Sequence, residues 1–427
     1  MKILLLGSGG RESALAWGLA RSPETSELFV APGNPGTSEL AANHECDPAD
    51  AEQVSELTRR LKPDLIVVGP EAPLVAGVGD RLRAEGFSVF GPDRAAAEIE
   101  GSKAHAKELM NAAGIATARA RIFTEVSAAE SFLDELGAPY VIKADGLAAG
   151  KGVVVTSDRQ EAHDALVDAL ENRRFGTAGS RVLVEEFLDG PELSVIAFSD
   201  GRNVIACEPA QDYKRVGDHD LGLNTGGMGS YSPVPACSDD LARQIVETVV
   251  QPMVDETARR GAPFVGALYA GLALTSNGPR VIEFNARFGD PETQALIPRL
   301  ESSLTEVCAA AAAGDLTGVK LSWSSDVCVS VVVASGGYPS AFPVDRPITG
   351  IKEASSQESV NVFHAGTALK DGELVTAGGR VLAVSATGPS FGVARERAYD
   401  AAAKIEFEGK HVRTDIARRA VGSTGGG

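Results

Sequence analysis

A glycine-rich segment between two apolar runs constrains the fold of this chain most strongly. The first run, residues 141–143, ends in Lys143, the glycines follow at 146, 150 and 152, and residues 153–155 are all valine. β-Branched residues favour strands and glycines permit a tight turn, so the pattern predicts a β-hairpin. Glycine N–H groups can approach phosphate oxygens closely, and Lys143 and Lys151 can add positive charge. We therefore predict a site for a nucleoside triphosphate, with a glycine turn and solvated lysines as the alternative.

The same segment differs from a Walker A loop, which requires G-x-x-x-x-G-K-[ST] before a helix. Only three residues separate Gly146 from Gly150, Gly152 stands where the hydroxyl residue belongs, and a strand follows instead of a helix. A P-loop fold is therefore not predicted.

The first hundred residues alternate between strand and helix patterns. Predicted strands are 3–6, 28–30, 65–68 and 88–90, and predicted helices are 13–20, 49–62 and 75–85. This alternation indicates a doubly wound parallel sheet, which binds ligands at the carboxyl ends of its strands.

The remaining chain changes pattern twice, which indicates a multidomain protein of α/β and α+β type. We predict an N-terminal doubly wound sheet, a central unit of two α+β subdomains and a small C-terminal α+β domain. The expected boundaries are 1–101 for the substrate domain, 102–117 with 191–322 for the central core, 118–190 for a lid that holds the hairpin, 323–421 for the C-terminal domain and 422–427 for a disordered tail.

Composition excludes several classes of protein. The net charge of −18 with no basic run argues against nucleic acid and anionic membranes as partners, so we expect small molecules. No apolar stretch reaches the roughly 20 residues that span a bilayer, and residues 2–6 are too short for a signal peptide. The five scattered cysteines lack the spacing of a zinc site or a disulfide scaffold. We expect a cytoplasmic protein.

A second constellation begins at Glu283 in the sequence E-F-N-A-R-F-G-D-P-E-T. On a strand, Glu283, Asn285 and Arg287 share one face. A carboxylate and an amide oxygen suit Mg²⁺, and an arginine can bind a phosphoryl group or a carboxylate. The alternative is a solvated strand face, which the apolar neighbours at 281, 282 and 284 argue against.

Three other segments carry weaker signals. The turn G-S-G-G-R-E at 7–12 resembles a dinucleotide fingerprint, but the acidic residue expected about 20 positions later is missing, which argues against NAD. A phosphate at the first helix or a glycine turn without a ligand both remain open. Residues 185–188 could present backbone groups to adenine, with Glu192 near a ribose, or could simply end a strand. The polar stretch 212–229 could bind a zwitterion or be a flexible surface loop.

The order of these motifs resembles one enzyme family along nearly the whole chain. The motifs are G-x-G-G-R-E, A-P-G-N-P-G-T, G-P-E-A-P-L-V, G-S-K, I-K-A-D-G-L-A-A-G-K-G-V, E-E-F-L-D-G-x-E, Q-D-x-K-R, N-T-G-G-M-G-x-Y, E-F-N-x-R-F-G-D-P-E-T and H-A-G-T. They are similar to those of the phosphoribosylamine–glycine ligases, or glycinamide ribonucleotide synthetases, of the ATP-grasp superfamily.

The resemblance implies a carbon–nitrogen ligase of de novo purine biosynthesis. ATP would phosphorylate the carboxylate of glycine, and the amine of 5-phosphoribosylamine would attack the resulting glycyl phosphate. The products would be glycinamide ribonucleotide, ADP and phosphate. Such an enzyme would need Mg²⁺ or Mn²⁺, and we expect a monomer.

The resemblance also implies roles for residues at matching positions. The implied catalytic residues are Lys143, Arg287 and Asp290. The implied ATP site comprises Lys103, Lys143, Asp145, Gly146, Gly150, Lys151, Gly152, Glu185, Glu186, Phe187, Leu188 and Glu192. The implied substrate site comprises Gly9, Gly10, Arg11, Asn34, Gly36, Pro70, Glu71, Asp212, Lys214, Gly226, Gly227, Met228, Arg287 and Asp290. The implied metal ligands are Glu283 and Asn285.

The chain departs from the family pattern at a few positions. Ser13 stands where the family usually has histidine, which leaves any histidine role there in doubt. Strand 267–272 lacks the second metal carboxylate of many ATP-grasp enzymes. Three alternative functions have sequence features against them. The motif N-T-G-G-M-G and the short C-terminal domain argue against a biotin carboxylase-like ligase. The missing ribose-binding acid argues against a nicotinamide-dependent oxidoreductase. The intact residues around Lys143 and Glu283 argue against a nucleotide sensor without catalysis.

Overall fold

A parallel sheet forms the N-terminal part of the computed structural model, which describes residues 1–147 and 152–423. The strands are β1 Lys2–Gly7, β2 Glu27–Pro32, β3 Ala42–Asn43, β4 Leu65–Val68 and β5 Val89–Phe90, and the helices are α1 Gly10–Arg21, α2 Ala51–Leu61, α3 Glu71–Ala76, α4 Val78–Ala84, α5 Arg94–Gly101 and α6 Lys103–Ala112. The strand order is β3-β2-β1-β4-β5, with every pair parallel. The predicted doubly wound sheet is confirmed.

Local sequence explains where these helices begin and end. Asp50 accepts hydrogen bonds from the backbone N–H groups of Glu52 and Gln53 and so caps α2. Ser102 caps α6 in the same way through His105 N. The single helix predicted over 75–85 is wrong, because Gly77 adopts φ 84° and divides the segment into α3 and α4.

An antiparallel sheet carries the predicted hairpin. Its strands are β6 Ala120–Phe123, β7 Tyr140–Ala144, β8 Val153–Thr156 and β9 Val182–Glu185, and its helices are α7 Val126–Leu136 and α8 Arg159–Leu170. The order is β6-β9-β7-β8, and Lys143 lies opposite Val153 in the β7–β8 pair. Phe132, Leu166 and Val184 form part of a separate small core. Two strands joined by the glycine segment are therefore confirmed, whereas Gly150 and Lys151 lie outside the described residues.

The central part contains eight strands and four helices among the described residues. The strands are β10 Glu192–Asp200, β11 Val204–Ala206, β12 Gln211–Asp212, β13 Arg215–Gly217, β14 Leu221–Asn224, β15 Gly229–Ser232, β16 Val265–Thr275 and β17 Gly278–Asn285, and the helices are α9 Asp239–Ile245, α10 Gln251–Arg259, α11 Glu292–Leu296 and α12 Leu304–Ala312. A π-helical turn, Val246–Val250, joins α9 to α10. Strands β11-β10-β16-β17 form one antiparallel sheet, so the Glu283 strand is an edge strand beside β16.

The C-terminal part builds on strands from the central part. Its elements are β18 Val327–Ser335, α13 Ile351–Ser355, β19 Val360–His364, β20 Thr367–Lys370, β21 Glu373–Thr376, β22 Arg380–Gly388, α14 Phe391–Lys404, β23 Lys410–His411 and α15 Arg418–Ser423. The sheet order is β12-β15-β18-β22-β19, and β23 also pairs with β18. One sheet thus runs across the boundary expected at 322/323, and the domain limits stay a prediction. No helix in residues 1–147 and 152–423 has the length and apolarity needed to cross a membrane.

Candidate active site

The four parts of the chain, the N-terminal sheet, the hairpin sheet, the central part and the C-terminal part, all line one cleft of about 1010 Å³. Most of the residues implied by the family resemblance line it. These are Gly9, Gly10, Arg11, Glu71, Lys103, Lys143, Gly146, Gly152, Glu185, Glu186, Phe187, Leu188, Glu192, Asp212, Lys214, Gly226, Glu283, Asn285, Arg287 and Asp290. Residues far apart in the sequence therefore meet on one surface.

Three implied residues of the N-terminal loops stay outside the wall of this cleft. The Asn34 amide is fully engaged, since it donates to Ser8 O and His364 O and accepts from the backbone of Gly36. A Cβ on Gly36 would lie 2.6 Å from the His364 ring, so glycine is required by packing. Pro70 precedes α3 as its N-cap residue. These residues shape the loops instead of facing the cleft.

Three further implied residues also have a structural place. Asp145 accepts hydrogen bonds from Ser102 Oγ and Ala104 N, and its other oxygen lies 2.6 Å from Arg181, so it ties the hairpin to the start of α6. Gly227 has φ +111°, and a Cβ there would lie 2.3 Å from Pro291. Met228 is fully buried. The stretch 212–229 contributes β12 and the β13–β14 hairpin, which argues against a simple flexible loop.

A buried carboxylate links two lysines at one end of the cleft. Glu185 is 3% exposed, with Lys143 Nζ at 2.8 Å and Lys107 Nζ at 3.1 Å from its two oxygens. Burial alone would raise the pKa of Glu185, but the two lysines outweigh it and lower the pKa. Lys143 also donates to Ile282 O at 3.1 Å. Sequence reasoning missed Lys107, although its spacing of four residues from Lys103 on α6 places both lysines on one helix face.

Lys103 lies beside the hairpin loop. Its Nζ donates to Gly146 O at 3.0 Å, and burial lowers the pKa of its ammonium group although Glu283 opposes the shift. Lys103, Lys143 and Glu283 all line the cleft, and both lysines lower the pKa of Glu283. The arrangement suits a polyanion with a bound cation.

Glu283 and Asn285 lie at the end of β17, where they could hold a metal ion. Burial would raise the pKa of Glu283, but Lys214, Lys143 and Lys103 lower it, so the carboxylate is an anion at neutral pH. The paired strand places Gly271 opposite Glu283 and Tyr269 opposite Asn285, and neither adds a carboxylate. The described residues contain no group of three or more His, Cys, Asp or Glu placed to hold a metal. Two hard oxygen ligands fit Mg²⁺, which takes its other ligands from phosphates and water.

Arg287 is held by two carboxylates from the N-terminal part. Its guanidinium lies 2.9 Å from Glu100 and 3.3 Å from Glu71. Glu100 also accepts from Ala286 N at 2.7 Å, so it fixes the end of β17. Burial raises the pKa of Glu100 although Arg287 opposes it, whereas Arg287 and Arg11 outweigh burial at Glu71 and lower its pKa to about 2. Glu100 was missed, since a lone glutamate near a helix end carries no recognisable signal.

Lys214 is surrounded by an excess of carboxylates. Its Nζ lies 2.7 Å from Glu192 and 3.9 Å from Glu283. Burial raises the pKa of Asp212 with help from Glu292, although Lys214 opposes the shift. Glu292, also missed, accepts hydrogen bonds from Ser194 Oγ and Tyr269 OH, both at 3.0 Å. This surplus of negative charge favours a cationic group such as an ammonium.

The side chain of Glu12 closes the glycine turn that precedes α1. Gly9 N donates to Glu12 Oε2 at 2.7 Å, and Arg11 Nε lies 2.6 Å from Glu12 Oε1. Glu12 therefore takes a place where a dinucleotide phosphate would sit at a helix N-terminus. Ser13 donates its hydroxyl to His364 O, so this departure from the family pattern has a packing role.

Asp290 is held by an arginine from a distant strand and by a glutamine four residues along the chain. Arg380, at the start of β22, lies 3.1 Å from one carboxylate oxygen, and Gln294 Nε2 donates to the other at 2.7 Å. Arg380 was missed because nothing in the sequence relates β22 to residue 290. Gln294 was also missed, although it lies only four residues after Asp290.

Comparisons with known proteins agree with this geometry. Domain models of one family match most of the chain, as phosphoribosylglycinamide synthetase N domain over residues 1–100, ATP-grasp (A) domain over 101–293 and C domain over 328–419. The phosphoribosylamine–glycine ligase of Streptomyces coelicolor is 51% identical over 426 residues, covering 99% of this chain and 100% of that protein. The Rhizobium meliloti ligase is 49% identical over 421 residues, covering 99% of each chain.

Solved structures give the same picture. The crystal structure of phosphoribosylamine–glycine ligase from Thermotoga maritima superposes with a TM-score of 0.85 at 34% identity, covering 97% of this chain and 100% of that one. The biotin carboxylase domain of Hydrogenobacter thermophilus 2-oxoglutarate carboxylase reaches 0.74 at 18% identity, covering 96% and 91%, which shows a shared fold alone. By full-length identity, domain models and fold, the chain belongs to the phosphoribosylglycinamide synthetase family, a family of phosphoribosylamine–glycine ligases.

Proposed function

We propose that this chain joins glycine to 5-phosphoribosylamine with cleavage of ATP, as a carbon–nitrogen ligase of purine biosynthesis. One observation carries the proposal: Lys103 and Lys143 face Glu283 across a cleft that also holds Arg287 and the loop of Arg11. Such a cleft can bind a triphosphate, a carboxylate and a second substrate side by side. It needs no protein nucleophile, since phosphoryl transfer depends on positioning and neutralisation of charge.

The ATP site lies between the lid and the central sheet. Lys103, Lys143 and the glycine segment 145–152 would bind the phosphates, and residues 185–188 would bind adenine with Glu192 near the ribose. The ammonium of Lys143 reaches the cleft from β7 while Ile282 O and Glu185 fix its position. In this proposal the side chain of Glu185 holds the two lysines, and the backbone of residues 186–188 contacts adenine.

The glycine site lies next to Arg287 and Lys214. Arg287 would bind the carboxylate of glycine and orient it toward the terminal phosphate, because Glu100 and Glu71 hold the guanidinium in place. The carboxylates around Asp212 and Lys214 would attract the ammonium of glycine, and its positive charge would favour the ionised form of Asp212. Activation would give glycyl phosphate, and Asp290, which lines the same cleft, would lie near the attacking amine.

The second substrate would bind at the N-terminal loops. Arg11 and Gly10 line the cleft, and because Glu12 caps the N-terminus of α1, the Arg11 guanidinium would be the group that binds the phosphate of 5-phosphoribosylamine. Gly226 borders the same space from the β14–β15 loop.

A divalent cation would complete the site. Glu283 and Asn285 would hold Mg²⁺ or Mn²⁺, which when bound supplies charge neutralisation to the phosphate oxygens. We further propose that the chain acts as a monomer in the cytoplasm, where ATP and glycine are available. Sedimentation velocity at micromolar concentration and cell fractionation test these two points.

One experiment tests the function. ADP release is measured with glycine alone, with 5-phosphoribosylamine alone and with both, and glycinamide ribonucleotide is followed by mass spectrometry. We expect ADP and ribonucleotide in equal amounts only when both substrates are present. ADP release that ignores either substrate, or a different product, would reject the proposal.

A further inference from the structure

One arginine connects the C-terminal sheet to the proposed active site. Arg380 begins β22, and its Nη1 donates to the backbone oxygens of Gly226 at 2.7 Å and of Asp290 at 2.8 Å. Its Nη2 lies 3.1 Å from the Asp290 carboxylate, and its side chain is 22% exposed. A single guanidinium therefore joins three separate segments at the cleft.

The carboxylate of Asp290 is fixed through both oxygens. While Arg380 contacts Oδ2, Gln294 Nε2 donates to Oδ1 at 2.7 Å, and Gln294 is 1% exposed. Hydrogen bonds to a charged group are short and directional, so two of them on opposite oxygens leave the carboxylate one orientation. Removing Arg380 would leave Asp290 with a single side-chain hydrogen bond and would free the 226 loop.

Asp290 borders the loop assigned to 5-phosphoribosylamine. A Cβ placed on Gly9 would lie 3.7 Å from Asp290 Oδ2, and one on Gly10 would lie 2.7 Å from Gln294 Nε2. Arg380, Arg11 and Arg287 are the charged groups that face Asp290, and they outweigh burial and lower the pKa of its carboxyl group. Asp290 is therefore an anion at neutral pH, placed beside the second substrate.

We propose that Arg380 is a positioning residue that orients Asp290 toward the amine of 5-phosphoribosylamine, so that the C-terminal domain takes part in amide formation. This inference rests on the proposed function. In that step the amine nitrogen forms a bond to the acyl carbon of glycyl phosphate, and the bond from that carbon to the phosphate oxygen breaks. The phosphate leaves with the bonding electron pair and receives the proton that the nitrogen loses. Asp290 accepts a hydrogen bond from the amine and aims its lone pair at the carbon.

The test compares how well ADP release is coupled to product in the parent, Arg380→Gln and Arg380→Lys. In Arg380→Gln we expect ribonucleotide formation to fall by about 10–100-fold, the effect of a misplaced reacting group. ADP release should fall less, because activated glycine that is not captured is lost to water. The ratio of ADP to ribonucleotide should then rise above one. Arg380→Lys keeps the charge but not the two-pronged geometry, so its ratio should be intermediate.

Arg346→Gln is the matched control. Arg346 lies in the same C-terminal part, is 41% exposed and pairs with Glu408 at 2.9 Å, outside the cleft. Its variant should keep the parent's ratio of one.

Each outcome decides the inference. Equal falls in ADP and ribonucleotide with a ratio of one would show that Arg380 is merely structural and would overturn it. If thermal unfolding shows that Arg380→Gln does not fold, the ratio in Arg380→Lys decides, with a value above one supporting the inference and a value of one overturning it. A parent that makes no ribonucleotide would reject the proposed function and the inference with it. A parent with a ratio of one, together with variants that keep this ratio, would overturn the inference alone.

Discussion

Replacing Glu185 with glutamine should destabilise the ATP-free protein far more than the same change at Glu186. Glu185 is buried between Lys143 and Lys107, at 2.8 and 3.1 Å. Glu186, one residue later, forms a partly exposed pair with Arg280 at 2.7 Å. The two variants have identical chemistry and differ only in burial and in the number of cations that lose their anion.

The structure sets the size of the effect. Removing one partner of a buried ion pair costs about 3–5 kcal/mol in free energy of unfolding. The lower end applies, because Lys143 keeps Ile282 O and Lys107 keeps Thr117 Oγ1 as acceptors. We expect about 3 kcal/mol for Glu185→Gln, against about 0–1 kcal/mol for a surface pair such as that of Glu186. At about 2–4 °C per kcal/mol, the melting temperature should fall by about 6–12 °C for Glu185→Gln and by at most about 4 °C for Glu186→Gln.

Differential scanning calorimetry without nucleotide measures both variants against the parent, and its pH dependence tests the cause. The pKa of Glu185 is lowered in the folded state, so its stabilisation is complete above the unfolded pKa of about 4.3 and is lost as pH falls through the folded value. The gap between parent and Glu185→Gln should therefore shrink below about pH 4. An exposed pair accounts for at most about 4 °C. A loss of less than about 4 °C in Glu185→Gln, or an equal loss in Glu186→Gln, would therefore refute the reasoning.

Three other results follow from the same cleft. Lys143→Met, assayed at a temperature where calorimetry shows it folded because it also removes a buried partner of Glu185, should lower turnover by about 10²–10³, and activity within about threefold of the parent would contradict its phosphate role. Glu283→Gln should raise the Mg²⁺ concentration needed for half-maximal activity, and a titration that overlays the parent would show that Glu283 is not a ligand. Amides of residues 144–153 should exchange more slowly when a non-hydrolysable ATP analogue is bound, as a closing lid requires, and unchanged exchange with the analogue demonstrably bound would contradict the lid.

Acid stability offers a test of the Arg287 region. Two arginines hold the pKa of Glu71 at about 2, so its stabilising effect exists above about pH 4.3 and is lost as pH falls toward 2. Glu71→Gln should flatten the pH dependence of the melting temperature in that interval. If the melting temperature of Glu71→Gln falls with acid as steeply as that of the parent, Glu71 is not the source of the pH dependence.

Local pattern was sufficient for much of the fold. The alternation of short apolar runs and amphipathic stretches in residues 1–100 predicts a parallel sheet because each period is a property of neighbouring residues. The run around Lys143 predicts two strands and a turn for the same reason. Glu283 and Asn285 could be picked out because alternate residues on a strand share a face.

Tertiary structure decided which polar groups meet. Lys107, Glu100 and Glu292 owe their place to burial beside partners at distant positions, and such long-range pairs leave no mark in the spacing of residues. The opposite holds for Asn34 and Asp145. The family motifs single them out as site residues, but in the structure their side chains make hydrogen bonds that hold loops in place. Whether a polar residue contacts substrate or stabilises a loop depends on which strands become neighbours. The sheet that joins residues 211–232 to the C-terminal strands forms only when the whole chain folds.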